Sequence, residues 1–288
     1  YKSLIFKNNG IGDLMKRKRR DPKICEIEPF PYHTRPTPGE CLAMRDRLLS
    51  LHGFPLEFAE DRRKRLQRGS DRDETSVLDG LIMTVLSQST NENNSKKAYV
   101  NLRTEFPTWH DVVAATTENV EKAIRCGGLA PSKASCIKNI LEYLVEKKGE
   151  LSLEYMRDMS SDDVKAELSL LKGIGPKTVR FGGPIWGTDE VMMQVSCVLM
   201  FNLGHDDLPV DTHVFKIAKA VGWVPIEANR KKTYEHLNRR VPDDLKFDLN
   251  CLLYTHGKVC RKCVNERSTK QQHGGQSSCP LAPLFKHV

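Results

Sequence analysis

Leu171-Lys172-Gly173-Ile174-Gly175-Pro176-Lys177-Thr178 decides how this 288-residue chain is read. Ser160 and Asp163 stand at capping-box spacing ahead of Val164, Leu168 and Leu171, which predicts a helix running into the quoted stretch. Gly173 and Gly175 allow a tight turn and leave no side chain in front of the amides that follow. Pro176 suits the first position of a second helix. Such a turn points unpaired N–H groups outward, where an anion such as a phosphate can sit. Taken alone, Gly-Ile-Gly also reads as nothing more than a turn.

Lys177 falls in the first turn of that second helix and faces the positive end of its dipole. The ammonium is mildly disfavoured there, which suits an amine nucleophile; the plain alternative is a solvated lysine. Further on, the chain reads Leu208-Pro209-Val210-Asp211-Thr212-His213. Asp211 precedes the helical run Val214, Ile217, Ala218, Val221. It is either an N-cap or the carboxylate that an amine nucleophile needs.

Leu-x-Gly-Ile-Gly-Pro-Lys-Thr followed by Pro-Val-Asp-Thr-His resembles the helix-hairpin-helix DNA glycosylases, specifically a plant-like member of their endonuclease III-like branch. The resemblance covers about residues 76–260. It implies an all-α, two-lobed architecture with a DNA cleft between the lobes. In such proteins the lysine after the hairpin attacks the sugar C1′ and the aspartate assists; Lys177 and Asp211 fall on those positions. Gly173, Ile174, Gly175 and Thr178 would hold the DNA strand. Gln88, in Ser87-Gln88-Ser89-Thr90-Asn91, matches the residue that enters the duplex when a base is extruded; otherwise it is a polar helix end. Leu129, in Gly128-Leu129 followed by Lys133-Ala134, matches a wedge between bases; otherwise it is a core leucine.

One departure concerns spacing. Lys177 and Asp211 lie 34 positions apart, where the resemblance expects roughly half that separation. Residues 180–195 account for the difference, and they carry the helix breakers Gly182, Gly183, Pro184 and Gly187. Without them Lys177-Thr178-Val179 would run directly into Ser196-Cys197-Val198-Leu199. The segment reads either as a splicing or gene-model product or as a tolerated loop.

The bulk properties fit this reading. The net charge of +8 suits a polyanionic partner without proving one. No run approaches the length of a membrane span, so no membrane partner is expected. Nine scattered cysteines fit a reducing compartment better than a disulfide framework. The chain opens on Tyr1, and further residues are expected before it. Residues 1–35 read as a disordered basic segment, whose run Lys16-Arg17-Lys18-Arg19-Arg20 suits nuclear import, nucleic-acid contact or a solvated tail.

Residues 36–75 read as an N-terminal helix opened by Thr37-Pro38-Gly39-Glu40, then a charge-dense exposed linker over 60–74, the whole packing with the C-terminal lobe. Residues 76–204 read as a six-helix-barrel-like lobe, with the helix-hairpin-helix over about 163–203. Its first helix carries Val77, Leu78, Leu81, Ile82, Val85 and Leu86 as one broad apolar stripe. Residues 205–288 read as a C-terminal helical lobe with a cysteine-containing tail.

That tail departs from the family pattern of four cysteines around an iron–sulfur cluster. Cys263 follows Cys260 by three positions, Cys279 comes 16 later, and Phe285 stands where a fourth cysteine is expected. Cys260, Cys263 and Cys279 are the metal candidates, with Cys251, His256 and His273 nearby. An iron–sulfur cluster, zinc or no metal all remain open, and catalysis requires no cofactor. The expected function is base-excision repair: a monomeric nuclear glycosylase with associated β-lyase activity on oxidised pyrimidines in double-stranded DNA. The alternative is a catalytically inert DNA-binding protein, with residues 180–195 displacing Lys177 from Asp211.

Overall fold

The computed structural model describes residues 28–66, 76–171, 189–260 and Leu281. These residues fold into helices and turns, with no strand among them. In chain order the helices are α1 (Pro38–His52), α2 (Ala59–Leu66), α3 (Val77–Leu86), α4 (Glu92–Glu105), α5 (Trp109–Ala114), α6 (Thr117–Ile124), α7 (Ala130–Lys148), α8 (Ser161–Leu168), α9 (Asp189–Cys197), α10 (Thr212–Ala220), α11 (Arg230–Arg240) and α12 (Asp243–Val259).

Local chemistry sets most of the starts. Thr37 accepts from Glu40 N–H while the Glu40 carboxylate accepts from Thr37 N–H, which closes a capping box on α1. Ser76, Asn91, Thr108, Thr116, Ser160, Asp211 and Asn229 cap seven later helices through their side chains.

Two cores hold the helices together. The first collects the stripe of α3 with Leu102, Ile137, Leu141, Leu144, Leu168 and their neighbours, and takes in Val195, Val198 and Leu199. The second joins Cys41, Met44 and Leu48 of α1 to Leu208, Val210 and the inner faces of α10, α11 and α12. Between them Met200, Phe247 and Cys251 pack with Phe54, Phe58 and Phe201. The chain thus forms two helical lobes, with α1 returned onto α12 of the second.

Two local expectations change. The charge-dense stretch after residue 60 is not a solvated linker as far as Leu66, because α2 forms there and its arginines find partners. Arg62 pairs with Asp248 (Nε–Oδ1 2.9 Å) and stacks on Phe54. Arg65 donates to the carbonyls of Met200 and His205 and to Asp206, and lies over Phe247. Guanidinium planes satisfy carboxylates, carbonyls and ring faces together, so this stretch clamps the junction between the cores.

The second change concerns residues 180–195. From Asp189 the segment is helical and continues through Cys197 into a widened π turn at Val198–Asn202. The breakers end at Gly187, and nothing after it opposes a helix. Val195 is buried in the first core.

Candidate active-site cleft

Asp211 is the fixed point of the site. It caps α10, its Oδ1 accepting from Val214 N–H at 2.7 Å. Burial pushes its carboxyl above the ordinary carboxylate value, against the pull of that hydrogen bond and of His213 and Arg230. A cap that is also a poorly solvated carboxylate can take up a proton more readily than an exposed aspartate.

Two hollows meet at this carboxylate. One is a recess of about 380 Å³, where Phe58, Phe201, Tyr254, Met83 and Met193 supply apolar surface, and Asp211 and Cys197 share the lining with polar groups that include Glu57, Asp61, Glu92 and Lys96. Phe58 and Phe201 stack with centroids 5.8 Å apart, and Tyr254 meets Phe58 edge-on at 6.0 Å. A flat heteroaromatic group can stack on the aromatic part of this lining and hydrogen-bond the polar part along its edge. The other is a cleft of about 640 Å³ between the lobes. The turn Ser87–Asn91 and Glu92 line it from the first lobe, and Asp211, His213, Arg230, Tyr254 and Lys258 from the second. Gln88 and Asp211 therefore face the same space.

Cys197 reaches both hollows beside Asp211. Burial, and then the Asp211 charge, push its thiol up to about 12, so it stays protonated and is no nucleophile. Nothing in the sequence singled out Cys197, Phe58 or Tyr254. They arrive from three separate helical segments, and only folding brings them to Asp211. His213 did carry a signal, as the last residue of Pro-Val-Asp-Thr-His. Its ring meets Tyr254 edge-on and packs where a Cβ on Gly257 would sit 2.4 Å from the His213 Cβ. α10 and α12 approach that closely because residue 257 has no side chain.

The two turns singled out for DNA share an unusual backbone. Among the described residues, Ser89 (φ 47°) and Leu129 (φ 49°) are the non-glycine residues in the left-handed region. Such conformations cost on the order of 1–3 kcal/mol and persist where the surroundings impose them. One directly follows Gln88; the other is Leu129 itself. Leu129 is 56% exposed, which removes its reading as a core leucine.

Lys177, Gly173, Ile174, Gly175 and Thr178 lie outside the described residues, as do Lys16–Arg20, Cys263 and Cys279. Cys260 ends α12 and packs against the second core, whereas Cys251 belongs to the cluster between the cores. His256 is buried against His52, Nδ1 to Nε2 2.9 Å. No group of three or more metal-ligating side chains assembles among the described residues. Nor is any helix there long and apolar enough to cross a membrane.

Residues 82–243 match the model of the HhH-GPD superfamily base excision DNA repair proteins. The chain belongs to that superfamily. Within the HhH-GPD proteins it is 52% identical, over 275 residues, to the Arabidopsis thaliana protein named "Putative DNA glycosylase At3g47830", covering 89% of this chain and 88% of that one. It is 30% identical over 206 residues to the endonuclease III of Thermotoga maritima, covering 71% of this chain and 84% of that one. Among solved structures, a trapped endonuclease III–DNA covalent intermediate superposes with a TM-score of 0.58 at 20% identity, over 87% of this chain and 96% of that one. The all-α, two-lobed HhH-GPD fold and the endonuclease III-like branch follow from these matches.

Proposed function

We propose that this chain is a bifunctional DNA glycosylase and abasic-site lyase acting on double-stranded DNA that carries an oxidised pyrimidine-type base. The observation that carries the reading is Asp211: a poorly solvated carboxylate where an aromatic recess opens into the cleft that also holds Gln88. A base inside the duplex is out of reach, and extruding it costs a few kcal/mol. The aromatic recess would receive the extruded base, and Gln88 and Leu129 would fill and wedge the gap it leaves. The Gly173-Ile174-Gly175 turn and Thr178 would grip the strand by its phosphates.

The chemistry needs one amine and one carboxylate. Asp211 accepts a proton from the Lys177 ammonium and passes it to the departing base, and the carboxylate so restored stabilises the positive charge that grows on the sugar. The neutral Lys177 amine forms a bond to C1′ as the bond to the base breaks. The sugar ring then opens to a Schiff base. Loss of a C2′ proton expels the 3′-phosphate and nicks the strand. No step passes through a metal; any group held by Cys260, Cys263 and Cys279 would be structural. The run Lys16–Arg20 supports a nuclear location, which a fluorescent fusion with and without those residues would test. We read the working unit as a monomer, which sedimentation of the protein with and without DNA would test.

Borohydride trapping on a duplex with a single abasic site tests the mechanism without knowledge of the damaged base. The full chain is expected to form a covalent adduct and Lys177→Gln to form none. An adduct with Lys177→Gln would remove that residue as the nucleophile. A protein lacking residues 180–195, run beside them, shows whether that segment limits the reaction: trapping by the shortened protein alone would make the full chain an inactive form.

A further inference from the structure

Lys133 is buried to 2% exposure, yet no step of the mechanism uses it. Its ammonium donates to the carbonyl of Leu86 at 2.7 Å and to that of Gly127 at 2.8 Å. Leu86 is the last residue of α3, and its carbonyl is among those that a helix end leaves without a partner. Gly127 closes the 3-10 turn Arg125–Gly127. The chain leaves each carbonyl into one of the two strained turns: Leu86 is followed by Gln88 and Ser89, Gly127 by Gly128 and Leu129. A positive charge at a helix C-terminus is favourable, which helps retain the ammonium in a buried place.

We propose that Lys133 is a positioning residue for DNA: one ammonium ties the Gln88 turn to the Leu129 turn and sets their separation, so that both side chains enter the same duplex. The inference rests on the DNA-binding reading above. It assigns to a residue that need not touch DNA the register between two that do. A covalent chain does not set that register, because the two turns lie about 40 residues apart and belong to different helices.

The same helix supplies a control. Lys138 is also buried, and its ammonium donates to the carbonyls of Val113 (2.5 Å) and Ala115 (2.9 Å), at the end of α5. It too satisfies carbonyls from a buried place, with the Glu142 carboxylate 3.5 Å away as a further partner, but it is tied to neither the Gln88 turn nor the Leu129 turn. Both lysines satisfy carbonyls at helix or turn ends; only Lys133 is joined to the two turns.

The test uses the full chain, a duplex with a tetrahydrofuran abasic analogue opposite 2-aminopurine, and the matching undamaged duplex. Wild-type protein is expected to prefer the analogue duplex and to raise the fluorescence as the opposing base is unstacked. Lys133→Met should weaken binding to the analogue duplex on the order of tenfold or more. It should also lose the fluorescence rise, and bind undamaged duplex within about twofold of wild type. Lys138→Met should lower the melting temperature comparably while keeping both preference and fluorescence. Equal loss of preference in the two variants, or full preference in Lys133→Met, overturns the proposal. If Lys133→Met does not fold, Lys133→Arg takes its place, since its wider planar head displaces both carbonyls. A folded Lys133→Arg with undiminished preference would overturn the proposal, and a loss of about threefold or more at unchanged melting temperature would support it. Wild-type protein with no preference for the analogue would instead refute the function proposed above, and this role with it.

Discussion

The core of the first lobe is drawn almost entirely from residues 77–171, closed by Val195, Val198 and Leu199, whereas the core of the second joins α1 to residues 208–253 and Leu281 across more than 150 positions of chain. The first lobe presents the turn Ser87–Asn91 to the cleft, and carries a second strained turn with an exposed tip at Leu129. The second presents helix ends and packed rings: Asp211 at the cap of α10, Tyr254 on α12, Arg230 at the head of α11. A run of neighbouring helices can offer its connecting loops to a partner. A lobe built from distant segments can bury a carboxylate among them. On the mechanism proposed above, the turns of the first lobe would grip the DNA and the second lobe would supply the proton acceptor.

The largest expected break in that comparison is Asp211→Asn. Borohydride trapping should fall about 10²–10⁴-fold, the usual worth of a positioned acid or base. Stability should move the other way. Burial raises the Asp211 pKa, so the stability that this group contributes is complete below its unfolded pKa and is lost as pH rises through the folded value. At pH 7 the ionised carboxylate is therefore a cost. Asn caps a helix as well as Asp, so thermal melting at pH 7 should show Asp211→Asn at least as stable as wild type. A clear loss of stability would make Asp211 chiefly a structural cap.

Next in size is the packing beneath the site. Gly257→Ala places a Cβ against the His213 Cβ and ring and should cost about 1–3 kcal/mol in denaturant unfolding. Gly80→Ala on the first lobe meets the Asn202 carboxamide, with Nδ2 at 1.8 Å and Cγ at 2.3 Å. That group can swing about its own side-chain bonds, whereas the His213 Cβ is fixed to the backbone, and alanine is the better helix former, so the change should cost less than Gly257→Ala. Equal costs at the two glycines would erase the contrast between the lobes.

Arg65→Met removes the donors that hold Met200, His205 and Asp206 at the junction and should cost about 2 kcal/mol. The sharper readout is hydrogen exchange in residues 198–207, which should quicken more than the interior of α7.

The last effect is an acid one in the second lobe, confined to low pH. Burial, and then the neighbouring His52, lower the His256 pKa to about 4 from 6.5. Its neutral form belongs to the folded state, so this stability is complete above pH 6.5 and is lost as pH falls toward 4. His256→Gln should flatten the dependence of melting temperature over that window, and an unchanged slope would place the acid sensitivity elsewhere.

Helix starts were legible because they are local: Thr37, Ser160 and Asp211 cap helices through hydrogen bonds to residues three positions on, whatever the rest of the chain does. The stripe of α3 was legible for the same reason, since helical periodicity is a property of neighbouring positions. The motif around Lys177 and Asp211 set the family. The sequence by itself therefore determined an all-helical chain of a recognisable kind, with Asp211 and Gln88 among its candidate site residues. Only the tertiary structure decided that the arginines of α2 are clamps and not a solvated run, and that Leu129 is exposed on a left-handed turn. It also brought Phe58, Cys197 and Tyr254 to Asp211, and put one buried ammonium between the carbonyls of Leu86 and Gly127. Most of these join residues tens to hundreds of positions apart, and their energies come from burial and pairing that no local pattern encodes.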